Sequence, residues 1–206
     1  MFPLTPRGMN SIWVLIFLTP FTTVEPCIHS RNLVEPAETV ATFHEPYGGQ
    51  VHFTPVSTGE LKVTGSVSGL PPNKTLGLHI HETGDIGNHC KNAGGHWNPF
   101  NKWHGGLTSS VRHEGDLGNV KTDAQGVMNI DLTTLPDEDD PTQVYIGLAL
   151  VINDGEDDLG LGGNERSRTD GNSGERLACS VIGRRQSLWI RQKPIQQLTT
   201  PAAGKK

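Results

Sequence analysis

Five histidines and one aspartate, His79, His81, His96, His104, His113 and Asp116, fall within 38 residues of a chain that has nine histidines in all. His79 and His81 are one residue apart in an apolar, β-rich run, so alternation puts both imidazoles on one face of a strand, where they can share an ion. His96, His104, His113 and Asp116 follow in a glycine-rich stretch able to fold back on that strand. Imidazole nitrogen suits zinc and copper, and an aspartate oxygen can complete a tetrahedral zinc site. The chemistry this pattern points to is metal binding. His29, His44 and His52 read as ordinary surface or strand residues.

The elements that must hold these groups are strands. Period-2 or β-rich runs recur between turn signals over 39–43, 50–54, 61–68, 75–81, 127–132, 144–152 and 178–182, whereas no stretch sustains a helical period. The fold class is therefore all-β, a sandwich or barrel. Two long irregular stretches, Glu82 to Leu117 and Asn153 to Arg176, are rich in glycine and charge, and loops of that length in a compact domain carry function. Asp137 to Asp140 reads as a solvated acidic turn.

The 206 residues suffice for one core, and the ends read as appendages to one domain over 39–183. Arg7, the apolar run Ile12 to Leu18, Pro20 and the small residues Thr22 and Thr23 suit a secretory signal within 1–26, too short to span a membrane. An extension over 27–38 follows. Secretion would put Cys27, Cys90 and Cys179 in an oxidising compartment where two of the three can pair, and Cys27, just past the leader in a polar segment, is the natural odd one. Asn73-Lys74-Thr75 is a glycosylation sequon, which requires an exposed loop of a secreted chain. Of the 17 basic residues six lie in Arg184 to Lys206, which has no acid, leaving 11 against 22 acidic residues elsewhere. Such a tail suits a polyanionic glycan, although a solvated disordered tail is the simpler reading. Neither a nucleic-acid partner nor a membrane span is expected.

The string Gly77-Leu78-His79-Ile80-His81-Glu82, then Cys90, Gly95-His96-Trp97-Asn98-Pro99, His104-Gly105-Gly106 and Arg112-His113-Glu114-Gly115-Asp116-Leu117-Gly118-Asn119, resembles the signature of the copper/zinc superoxide dismutases. Asp157-Asp158-Leu159-Gly160, Gly162-Gly163-Asn164-Glu165, Gly171-Asn172, Arg176-Leu177-Ala178-Cys179 and Val181-Ile182-Gly183 continue it in order, from about Thr39 to Gly183. The resemblance implies an eight-stranded Greek-key barrel, so the seven runs omit one strand, expected around Gly118 to Lys121. It implies that His79, His81 and His96 bind copper, that His96 bridges to zinc, and that His104, His113 and Asp116 complete zinc. It further implies a Cys90–Cys179 disulfide, Asp157 as the carboxylate that orients metal-bound histidines, Arg176 as guide for the superoxide anion, and a homodimer. The family reaction converts superoxide to oxygen and hydrogen peroxide by cycling copper between Cu(II) and Cu(I).

The chain departs from the family at the fourth copper ligand. The anchor Asp157-Asp158-Leu159-Gly160 puts Asn153 where a histidine belongs. An amide is a poor donor to copper, so Cu(II), which favours four-coordinate nitrogen sites, should be held less well than Cu(I), and dismutation is expected to be weak or absent while zinc binding survives. His89, beside Cys90, is the one other histidine near enough in sequence to replace the missing donor. The stretch Asn153 to Arg176 holds seven acids against Arg166, Arg168 and Arg176, a balance that does not favour an anion unless the arginines line its path. Thr83 stands where the family's dimer uses an apolar residue. Three readings follow: an impaired extracellular dismutase, a non-catalytic zinc-stabilised copper-binding or regulatory relative, and a copper chaperone. The chain has no Cys-x-x-Cys or Cys-x-Cys pair, which weakens the third.

Overall fold

The computed structural model describes residues 38–56, 59–136 and 145–185. The proposed leader, Cys27, the acidic turn at 137–140 and nearly all of the basic tail lie outside the described residues. Eight strands form the fold: β1 Thr39–Phe43, β2 Gly48–Pro55, β3 Leu61–Ser68, β4 Thr75–His81, β5 Asp116–Lys121, β6 Met128–Thr134, β7 Ala149–Asn153 and β8 Arg176–Arg184. Two 3-10 turns, Lys91–Ala93 and Arg166–Arg168, are the only helical pieces among the described residues.

The strands run antiparallel in the order β5-β4-β7-β8-β1-β2-β3-β6. The edge strands β5 and β6 are consecutive in sequence, and a bridge between Thr122 and Met128 brings their ends together. The sheet is thus a nearly closed Greek-key barrel, the all-β architecture that the sequence led us to expect. The strand that composition leaves out is β5, where Gly118, Asn119 and Lys121 dilute the β signal. β7 is shorter than its apolar run, since Tyr145 to Leu148 form a turn and only Ala149–Asn153 pair. Among the described residues no helix is long and apolar enough to cross a membrane.

Alternation explains where the core ends and the chemistry begins. On β4, Leu76, Leu78 and Ile80 point into the barrel, and on β7 Leu150 and Ile152 do the same, joining Phe53, Val63, Met128, Tyr145 and Ile182. Each such fully buried side chain contributes about 1.5–3 kcal/mol. The intervening residues point outward: Gly77, His79 and His81 on β4, and Ala149, Val151 and Asn153 on β7. Those outward residues are buried as well, giving β7 the pattern of five buried residues in a row, because the two long loops lie over this wall.

The loop between β4 and β5 is sewn back to the end of β4. Ile80 N–H donates to Gly115 O at 2.8 Å, Trp97 N–H donates to Ile80 O at 2.8 Å, and His96 bridges His81. A disulfide joins Cys90 in this loop to Cys179 on β8, closing a sequence separation of 89 residues, which in the chain-entropy account is worth about 4–5 kcal/mol. Farther on, the buried Arg112 guanidinium donates to His113 O at 2.8 Å, Thr134 Oγ1 at 3.2 Å and Leu135 O at 3.1 Å, fastening the segment before β5 to the end of β6. Replacing Arg112 with Met would leave these acceptors without their donor. The expected loss is about 3 kcal/mol, read as a lower urea midpoint with unchanged slope.

Candidate metal centre

The cluster forms on the outer wall where β4 meets β5 and β7. His79 pairs in register with Val151 on one side and Asp116 on the other. Asp116 is fully buried, and its Oδ2 accepts two backbone N–H bonds, from His113 at 2.8 Å and Gly105 at 3.1 Å. Those donors fix the carboxylate so that Oδ1 faces three imidazoles: His96 Nδ1 at 2.8 Å, His104 Nδ1 at 3.0 Å and His113 Nδ1 at 3.3 Å. A tetrahedron of ligands with bonds of about 2.0 Å has edges of about 3.3 Å, and the three spacings from Asp116 Oδ1 lie near that length.

Unpaired nitrogens give a sharper test of fit. His104 Nδ1 and His113 Nδ1 are buried with no hydrogen-bond partner, although both lie beside the Asp116 carboxylate, and His81 Nε2 is likewise buried and unpartnered. A buried polar atom without a partner costs about 1–3 kcal/mol, a cost that coordination to a cation removes. The donor set of three imidazoles and one carboxylate fits zinc.

His79 extends the cluster on its other side. One atom each of His79, His96, His104 and Asp116 lie within 4.8 Å of one another, and the His79 and His96 rings stack at 4.0 Å. His81 and His96 meet edge to face at 5.0 Å. Asp157, fully inside, reaches two rings at once, His104 Nε2 at 2.7 Å and His79 Nε2 at 3.0 Å. His81 Nδ1–H donates to Gly94 O at 2.9 Å, which turns Nε2 toward the cluster.

A model of the copper/zinc superoxide dismutase family matches residues 47–182. The chain belongs to that family. It is 47% identical over 157 residues to the extracellular Cu-Zn superoxide dismutase of Schistosoma mansoni, covering 75% of this chain and 83% of that one. It is 37% identical to the Cu-Zn superoxide dismutase of Paramecium bursaria Chlorella virus 1, covering 87% of this chain and 95% of that one. The human copper chaperone for superoxide dismutase is 43% identical over 71% of this chain, and the match spans 52% of the chaperone. Among solved structures, the clock protein EA4 superposes with a TM-score of 0.67 at 38% identity, covering 72% of this chain and 95% of that one.

In this dismutase-family chain the position that departs from the pattern is also in the cluster. Asn153 is buried at the end of β7 with its Oδ1 3.1 Å from His79 Nδ1. His89 is exposed in the loop, away from the buried wall, so the alternative donor gains nothing from the fold. Arg176 donates to Cys90 O at 2.5 Å, to Lys91 O at 2.9 Å and to Gly94 O, the carbonyl that also holds His81. Arg166 is paired with Asp170 at 3.0 Å, and Arg168 lies over the exposed Trp103 ring. Asn73 is exposed in the turn before β4, with φ of 54°.

Two supports escaped sequence reasoning. Asn119 holds the Asp157 backbone from both sides, accepting its N–H at 2.9 Å and donating to its carbonyl at 2.7 Å. Glu82 accepts from Gly95 N–H at 2.9 Å and so fixes the approach to His96. Nothing in residue type marks either one; only their place within the family strings does. Gly77 is needed because a Cβ there would stand 2.9 Å from His79 Cε1, and Gly171, at φ of 65°, because a side chain would collide with Asp157.

The metal-free electrostatics follow from burial and the two carboxylates. Burial pushes His81 down to about 3 despite its bond to Gly94, and burial also holds His96 well below its ordinary value. Burial opposes a charged His104 too, but the Asp116 and Asp157 carboxylates beside its two nitrogens outweigh it and raise this group to about 10. Burial would raise both aspartates, and their histidine partners instead hold them below the usual carboxylate range. Relative to an unfolded histidine near about 6.5, the raised His104 contributes stability that is complete below that pH and lost as pH climbs toward 10. His81 and His96, depressed, contribute stability present above about 6.5 and lost as pH falls below it. Urea midpoints of the metal-free protein should therefore peak near about pH 6.5 and fall on both sides. Zinc uptake at about pH 7.5 should also displace the His104 proton, read by calorimetry as about one proton released in buffers of different ionisation heat.

Proposed function

We propose that this chain is a secreted, zinc-stabilised member of the family whose copper half is impaired, so that dismutation of superoxide is weak or absent. The observation that carries this reading is the 3.1 Å contact between Asn153 Oδ1 and His79 Nδ1. On this reading His96, His104, His113 and Asp116 hold zinc, and His79, His81 and His96 are left to hold copper. Zinc supplies a closed structural tie when bound, and copper supplies the one-electron couple that dismutation needs. The chain's own residues do the rest: Asp157 orients His79 and His104, Gly94 O sets the His81 tautomer, and Asp116 gathers three rings. With Nε2–H given to Asp157, His79 keeps at Nδ1 the lone pair that a metal would take, and that lone pair faces the Asn153 amide 3.1 Å away in place of a fourth imidazole.

The surroundings bear on the enzyme reading as well. Arg176 is our candidate for guiding superoxide, and the carbonyls of Cys90, Lys91 and Gly94 fix where its charge stands without neutralising it. Arg166 is paired with Asp170, so it does little to offset the acidic surplus of the second loop. In a homodimer of the family's kind Thr83 would meet the partner chain without an unsatisfied hydroxyl, since its Oγ1 donates to Asn92 O at 2.9 Å and accepts from Asp85 N–H at 3.2 Å.

Secretion is supported by the leader and by the name of the Schistosoma mansoni relative, an extracellular dismutase. The exposed Asn73 turn suits a glycan, and the basic segment Arg184 to Lys206 suits a polyanion. Removing 186–206 should shift elution from a heparin column to lower salt and leave metal content unchanged.

The second reading, a non-catalytic copper-binding or regulatory relative, is favoured by the same Asn153. The likeness to a copper chaperone shows how such a domain can sit in a protein named for another task, although this chain has no Cys-x-x-Cys or Cys-x-Cys pair. Protein loaded with both metals should retain stoichiometric zinc and substoichiometric copper, with dismutation at least about 10–100-fold below that of Asn153→His. Full copper loading with turnover equal to that of Asn153→His would refute the proposal.

A further inference from the structure

Asn153 does more than leave a ligand position without an imidazole. His79 has a polar side chain at each ring nitrogen: Nε2–H donates to Asp157 Oδ2 at 3.0 Å, and the Asn153 amide lies 3.1 Å from Nδ1. By contrast His81 Nε2 is buried with no such partner, and the Nδ1 atoms of His104 and His113 share the single oxygen Asp116 Oδ1. The contacts continue at both ends. Asn153 Nδ2 donates to Gly174 O at a long 3.4 Å, and Asp157 Oδ1 accepts from His104 Nε2 at 2.7 Å. A line of side chains thus runs from the backbone just before β8, through Asn153, His79 and Asp157, to a zinc-half histidine. Every member is buried, where unpaired groups are costly and rings cannot turn freely.

We propose that Asn153 is a positioning residue of the zinc half: it holds the Nδ1 edge of His79, which fixes the ring that orients Asp157 and, through it, His104. In the zinc-only protein His79 then serves as a strut and not as a metal ligand. This rests on the reading that His96, His104, His113 and Asp116 bind zinc. The substitution that weakens copper at one end of the cluster is, by the same two contacts, a support for zinc at the other.

Asp157 has further anchors, accepting from Leu159 N–H at 2.8 Å and held at its backbone by Asn119, so losing Asn153 loosens the line without releasing it. The test uses the full chain, with zinc affinity measured against a chelator and cobalt(II) as the spectroscopic probe of the same site. Asn153→Leu removes both polar ends at similar volume, and Asn153→Ser, too short to reach His79, serves should the first not fold. Each should lower zinc affinity about tenfold, the low end for partners beyond the ligands, and alter the cobalt d–d bands. In an Asp157→Asn background, Asn153→Leu should make no further difference, since it acts through Asp157. Undiminished zinc affinity with unchanged cobalt bands in the Leu and Ser variants overturns the inference and leaves the zinc reading standing. So does an Asn153→Leu effect that persists in full with Asp157→Asn. An unsubstituted chain that takes up neither zinc nor cobalt overturns the zinc reading together with the inference.

Discussion

Everything at the metal centre depends on one carboxylate being held still. Asp116 gives Oδ2 to two backbone N–H groups and thereby presents Oδ1 to three imidazoles that arrive from three separate stretches of loop. A freely rotating aspartate would satisfy itself with any one of them. Anchored in this way, it makes the three rings share one point, and the long glycine-rich loop has a reason to close over β4. The hydrogen bonds of Ile80 with Gly115 and Trp97 then belong to the same closure, since they bring His96 and the start of β5 to the strand that carries His79 and His81.

The two carboxylates divide the work. Asp116 faces histidine Nδ1 atoms, where a cation is to sit, and Asp157 faces the far edges of His79 and His104. One gathers the donors and the other aims them. This explains why the electrostatics of neighbouring histidines diverge so far, with His104 raised by both carboxylates and His81, bonded only to a carbonyl, driven down by burial. It also explains why Asn153 matters beyond its own position, since it touches the ring on which the aiming carboxylate leans.

Much of this was legible in the sequence because strands announce themselves by alternation and metal ligands by type. The runs at 39–43, 61–68 and 75–81 became β1, β3 and β4 with the same bounds, and His79 and His81 share a face as their spacing requires. β5 was visible only through family resemblance, because Gly118 takes a positive φ and Asn119 serves Asp157, so neither carries the strand's pattern. What could not be read was how hydrogen bonds are shared: that Gly94 O serves both His81 and Arg176, that Asn119 brackets Asp157, and that Asn153 would be bonded and not vacant. Such pairings depend on where loops return in space, and no local pattern records that.

The outward face of β7 offers Ala149, Val151 and Asn153 to the loops while Leu150 and Ile152 face the core. Strand periodicity therefore separates two inheritances within five residues. A codon change at Asn153 can alter the polar wall that the loops cover while Leu150 and Ile152 keep the barrel core. Over evolutionary time, catalysis and architecture in such a barrel can drift apart, the outward positions changing while the inward ones keep the scaffold.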